Sequence, residues 1–246
     1  MKMNLASPMS KSHLFLGIET STTNCSVGLF RDDTLVDKLE EDNGYSHSEK
    51  LGVFVKDLLE NNKVEVVDLS AIGVGVGPGS YTGLRIGVSF VKGLGFAHNI
   101  PIIKFTSLEL LLNQFRSLDY PLSSGGIIIP MLDARRDEVY CQVYNSDFEP
   151  LEAIKAEILS EESFSKYRVG NSKIICLGPG AIKSKELIKS NNMDVIENLM
   201  PSIVGMESTI LSKYRNEAFE NLAYFEPYYL KEFFAGKAKR SLLSPE

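Results

Sequence analysis

Residues 73–87 read GVGVGPGSYTGLRIG. An apolar run enters a Gly77-Pro78-Gly79 corner and a helix leaves it, from about Ser80 to Asn99, so the stretch supplies one strand-to-helix step of an alternating chain. Glycine corners often cradle phosphate, yet neither standard template fits. No G-x-G-x-x-G can be aligned within 73–87, and no lysine stands where G-x-x-x-x-G-K-[ST] requires one. Gly79, Gly83, Gly87 and Gly95 instead recur on one ridge of the helix, with Ser89, Gly93 and Ala97 on a neighbouring ridge. Each interior glycine costs about 1 kcal/mol relative to alanine, so the set is expected to admit another backbone at close range. A helix-to-helix contact with a partner is the expected use, and packing on the chain's own sheet is the alternative.

Working outward, short β-type runs occupy 13–19, 25–32 and 34–42, and apolar residues at helical spacing occupy 46–62, with Ser46 or Ser48 as N-cap. A buried strand follows at 69–77, then the glycine helix, a strand at 101–105 and a helix at 107–118. A second series begins near Gly125: a hairpin of 125–134 and 137–145, a third strand at 151–158 and a short helix at 161–167. A strand at 173–178, a helix at 180–191 and a further helix over about 203–216 complete it. The first series runs β-β-β-α-β-α-β-α and the second reads as the same order again, which predicts an α/β protein of two similar lobes, each a twisted mixed sheet with helices on its faces. The expected divisions are a leader over 1–13, a first lobe over 14–106, a second over 107–230 and a basic tail over 231–246.

The 246 residues suffice for one large core or two small ones, and 43% hydrophobic with 24% charged residues is ordinary for a globular protein. A formal net charge of −6 argues against a chain that wraps nucleic acid by itself. Cys25, Cys141 and Cys176 are widely spaced and free of any CxxC, so they read as reduced core residues in a cytosolic compartment. The leader lacks the apolar stretch of a secretory signal, and the most apolar neighbourhood, 84–103, is interrupted by Arg85, Lys92 and His98, which excludes a membrane span.

Candidate chemistry is sparse. The histidines, His13, His47 and His98, stand apart, no G-x-S-x-G is present, and no H-x-x-x-H or carboxylate-histidine cluster has the spacing of metal ligands. His47-Ser48-Glu49 reads as a helix start with a dipole-complementing acid. Two polar turns are candidate nucleotide contacts: Glu19, Thr20, Ser21 and Thr22 after the first strand, and Asp133 with Arg135 and Arg136 in the second series. Hydroxyls and backbone N–H groups of such turns grip phosphates where hairpins point into an interlobe cleft. The second turn has no glycine, and its arginines are too bulky for close backbone approach, so an Asp133–Arg135 pair that stiffens the turn is expected there.

LGIETSTTNCSVGLF (16–30), the segment from Gly73 to Ile102, MLDARRDEVYCQVY (131–144) and CLGPGA (176–181) together resemble the TsaB (YeaZ) family, the dimerisation subunits of the bacterial machinery that makes tRNA threonylcarbamoyladenosine. The resemblance covers about 14–232, and G-P-G-S-[FY]-T-G-L-R-I-G is its most specific part. It implies a duplicated ribonuclease-H-like fold of the actin, sugar-kinase and Hsp70 (ASKHA) class. The catalytic sibling, TsaD, shares the first hairpin and the glycine corner but carries an H-x-x-x-H metal pair; laid on this chain, those positions fall at Ser107 and Leu111. Leucine cannot ligate a metal. Glu19 stands where the family more often has aspartate.

What the resemblance implies is a non-catalytic, cytoplasmic partner subunit without metal or tightly held cofactor, weak ATP or ADP binding at an interface aside. It would bind the TsaD transferase, with a TsaE ATPase and tRNA joining the assembly, and form a homodimer when the partner is missing. The helices at 46–62 and 80–99 are the expected docking face, with Leu51, Val55, Tyr81, Arg85, Ser89 and Lys92 as its exposed ridges. Gly77, Gly79, Gly83 and Gly87 are the structural glycines. The alternative is an ATP-dependent kinase or phosphatase of the same fold class, which needs two glycine-bearing phosphate loops and a carboxylate base.

Overall fold

A computed structural model of the chain describes residues 12–44, 47–168 and 173–230. Residues 1–11 of the leader and the basic tail expected from the sequence lie outside these residues, as does Ser46, one of the two N-cap candidates. The first series forms strands β1 (Leu14–Glu19), β2 (Cys25–Arg31) and β3 (Thr34–Glu41), helix α1 (His47–Asn61), strand β4 (Ala71–Gly75), helix α2 (Tyr81–His98) and strand β5 (Ile102–Phe105). Helix α3 (Ser107–Ser117) then leads to β6 (Ile127–Asp133), β7 (Glu138–Cys141), the two-residue β8 (Tyr144–Asn145), β9 (Lys155–Ile158), β10 (Ile174–Leu177), α4 (Ala181–Leu187), β11 (Met193–Ile196) and α5 (Ile210–Arg215).

The strands make two sheets with the orders β3-β2-β1-β4-β5 and β11-β10-β6-β7-β9, with β8 pairing β6 beside the second. Each has an antiparallel meander on one side of its first strand and parallel partners on the other. Renumbered within its own series, each order is 3-2-1-4-5, so the expected duplicated ribonuclease-H-like architecture is present. The two series diverge in their helices. Where α1 follows the first meander, the second has only a 3-10 turn at Ser165–Tyr167, and the expected helix over 203–216 is a 3-10 turn at Ile203–Met206 followed by the separate α5. Strand β11 was not legible: four residues, all half-buried and one of them Asp194, leave no apolar run to read.

Helices α1 and α2 cover one face of the first sheet, burying Leu51, Val55, Leu58, Val88 and Val91 against Leu16, Ile18, Val27 and Ile72. The other face receives the segment from Ile203 to Tyr214, although it follows the strands of the second sheet in sequence. Gly28, Gly17 and Gly73 pair side by side across β2, β1 and β4, and a Cβ on any of them would press into Ile203 or Met206. The row of missing side chains is therefore a seat for the 3-10 turn. Ser26 Oγ fixes that seat, donating to Glu40 (2.6 Å) and accepting from the Ile203 N–H (3.1 Å). Helix α3 lies between the sheets, with Leu110 in the first-sheet cluster and Leu108, Leu111, Leu112 and Phe115 against Ile128, Ile175 and Leu177 of the second. All three cysteines are free and buried, and burial pushes the Cys25 thiol up to about 11 and those of Cys141 and Cys176 to about 12. No helix among the described residues is long and apolar enough to cross a membrane.

Candidate functional site

At the Gly77-Pro78-Gly79 corner, φ is +107° at Gly77 and +158° at Gly79, a region open to glycine at little cost. Ser80 then caps α2, its hydroxyl accepting from the Gly83 N–H at 3.2 Å. The glycine ridge of α2 does not face outward. A Cβ on Gly79 would collide with the Ser21 carbonyl, one on Gly83 with the Thr20 carbonyl and one on Gly87 with the Thr20 hydroxyl, while one on Gly95 would press on the Ile100 carbonyl. The ridge expected to receive a foreign backbone is filled by the turn after β1, because glycine alone lets that turn lie on the helix. Gly93 on the neighbouring ridge and Gly52 on α1 are exposed and meet no close atom that a Cβ would displace.

That turn ties both helices together. Ser80 N–H donates to Ser21 O (2.6 Å), and Thr20 Oγ1 donates to Gly83 O (2.8 Å). The buried His47, first residue of α1, lies 2.7 Å by its Nε2 from Thr22 O; a carbonyl only accepts, so Nε2 carries the proton. Of the expected nucleotide contacts, Glu19 and Thr20 are fully buried and do not reach the cleft, whereas Ser21, Thr22 and Asp133 line it. Glu19 is sealed beneath Gly75, its Oε1 taking the Ser21 N–H and its Oε2 without a partner. Burial pushes its carboxyl above the ordinary carboxylate range. In place of an ionised group facing a ligand, the end of β1 presents a covered acid.

The cleft between the lobes has a volume of about 940 Å³. Its walls are Ser21–Thr23, the first turn of α2, the β6–β7 hairpin with Asp133 and Arg135, and Tyr228–Leu230 near the end of the described chain. The expected Asp133–Arg135 ion pair is absent. Asp133 Oδ1 accepts the backbone N–H of Arg135 (2.6 Å) and pairs with Lys183 (2.9 Å), a residue of α4 that sequence spacing did not connect to the turn. Arg135 (φ +72°) and Arg136 (φ +47°) both take the left-handed conformation.

The paired-helix face differs from its expected composition. Leu51 and Val55, 1% and 4% exposed, belong to the core and not to the surface, because their α1 positions look down on β2 and α2. Tyr81, Arg85 and Lys92 are engaged by the chain's own last segment: Arg85 lies over the Tyr81 ring (4.1 Å) and donates to Tyr229 Oη (3.1 Å), and Lys92 donates to Phe225 O (2.9 Å). Only Ser89 of the six is both exposed and unengaged. The open surface instead comprises Gly52 and Val53 of α1 with Ser89, Gly93 and Phe96 of α2; Val53 is 51% and Phe96 84% exposed. The strap over 222–229 was not read as part of this face, and the aromatic density of YFEPYY (224–229) was the one signal of it. Ser107 and Leu111 are both fully buried.

Over residues 41–244 the chain matches the family model described as TsaD, tRNA N6-adenosine threonylcarbamoyltransferase. It is similar to the tRNA threonylcarbamoyladenosine biosynthesis protein TsaB of Bacillus subtilis, 39% identical over 129 residues, 52% of this chain and 54% of that one. The TsaB of Escherichia coli is 25% identical over 227 residues, 90% of this chain and 96% of the relative. The chain thus spans about half the length of the first relative and nearly all of the second. Among solved structures, YeaZ from Pseudomonas aeruginosa superposes with a TM-score of 0.76 at 23% identity, over 89% of this chain and all of the other. With its duplicated fold, its glycine corner and these matches, the chain belongs to the TsaB (YeaZ) family, within the wider family that the TsaD model describes.

Proposed function

We propose that this chain is a non-catalytic partner subunit: it binds a TsaD-type transferase through the α1–α2 face and so supports threonylcarbamoylation of the tRNA adenosine next to the anticodon. The names of its relatives indicate a role in tRNA threonylcarbamoyladenosine biosynthesis. The observation that carries the docking reading is the exposed Val53 and Phe96 with two exposed glycines, Gly93 with open space above it and Gly52 with no atom that a Cβ would displace. An apolar, notched surface of this kind lets a second helix pack at short interaxial distance. The covered Glu19 supports the non-catalytic part, because a carboxyl without access to the cleft cannot act on a bound ligand. A TsaE-type ATPase and tRNA would join the complex, and a homodimer would use the same face when the transferase is missing.

Mixing the purified chain with the transferase should give a complex by light scattering at micromolar concentration. Gly93→Arg, which fills the notch and whose Cβ meets none of the chain's own atoms, should weaken it by at least about tenfold with the fold unchanged. Absence of a complex for the unaltered chain, or equal affinity of the variant, would overturn the reading.

A further inference from the structure

The β6–β7 hairpin is built to hold two arginines outward. Arg135 and Arg136 are consecutive, exposed and both left-handed, a conformation in which glycine costs less than any bulky side chain. The carboxylate nearest in sequence does not neutralise them. Asp133 is taken by Lys183 and by the Arg135 backbone N–H. Lys183 also donates to Glu138 O (2.9 Å), so one ammonium closes the neck of the hairpin from both strands. Among the described residues neither guanidinium is in an ion pair; of the two acids that follow them, Asp137 is exposed and Glu138 is engaged. The braced neck fixes the backbone from which both exposed side chains extend.

We propose that the Arg135–Arg136 tip binds the phosphodiester backbone of an RNA strand passing the mouth of the cleft. Guanidinium forks match phosphate oxygens in pairs, and Arg135 lines the cleft while Arg136 stands next to it. The tip is open to solvent and not enclosed, which suits successive phosphates of a strand better than one small anion held in a pocket. In naming RNA, the proposal rests on the function proposed above. A net charge of −6 does not preclude a contact made by two guanidinium groups of one turn.

The test uses the full chain, alone and with the transferase, and a fluorescent unmodified tRNA transcript. R135G/R136G suits both left-handed positions, so it should melt no lower than the unaltered protein and should keep its affinity for the transferase. It should bind the transcript at least about fivefold more weakly, with the slope of log affinity against log salt smaller by about 1 to 2. R135K/R136K should recover part of the loss. Unchanged RNA affinity and slope in R135G/R136G would overturn the proposal, as would loss of ATP binding with RNA binding intact, which would assign the tip to a small anion. If no complex forms with the transferase, the docking reading fails by itself. RNA binding by the chain alone then decides this one: a loss in R135G/R136G supports it, and no binding by the unaltered chain overturns it.

Discussion

Glu19 concentrates the residue-scale physics of the molecule. Its carboxyl is fully buried with one oxygen unpartnered, and Gly75 is glycine because a Cβ there would occupy the position of Oε2. In the unfolded chain this group titrates near its ordinary 4.5, while in the fold burial holds the proton to higher pH. The folded state therefore binds more protons in the window above 4.5, and its stability falls as pH rises through that window. Melting temperature measured against pH should show this decline, and Glu19→Gln should flatten it, whatever the offset between the two proteins. Equal slopes would mean that the carboxyl is ionised in the fold. From sequence the residue was placed at the strand end, but its concealment depends on Gly75, a residue of another strand.

At the scale of the element, α2 carries glycines of two kinds. Gly83 has the Thr20 carbonyl against it, and backbone cannot swing aside as a long side chain can. Gly83→Ala should destabilise by about 1–3 kcal/mol. Gly93 has open space, so Gly93→Ala should stabilise by up to about 1 kcal/mol through helix propensity alone. Chemical denaturation of both variants checks the pair; similar signs would refute the assigned facing of the helix. The ridge pattern of glycines was legible from sequence, because spacing is a one-dimensional property. Which ridge faces inward was not, since that depends on where the β1–β2 turn returns in space. The same holds for Leu51 and Val55: helical spacing made them one stripe, and only the sheet beneath decided that the stripe is core.

For the whole molecule, the returning segment matters most. Residues after Ile203 seat on the glycine row of the first sheet, and Phe225 enters the core between that sheet and α2, so the end of the described chain closes the lobe with which it began. Met206 is fully buried on Gly17 and Gly73, and Met206→Ala should cost about 2–5 kcal/mol through the cavity left there. Loss of cooperative unfolding in that variant would show the seat to hold the lobes together as well, whereas a cost below about 1 kcal/mol would show it to be loosely packed.

The sequence by itself determined the alternation of strands and helices, the duplication and the family. These follow from periodicity and short motifs, which need only neighbours along the chain. Tertiary structure alone decided that Glu19 is covered, that the glycine ridge serves the chain's own turn, that Lys183 and not Arg135 pairs with Asp133, and that the last segment caps the first sheet. Each of these depends on atoms tens of residues apart meeting at contact distance, and the energy of such contacts resides in packing and desolvation, which no local pattern records.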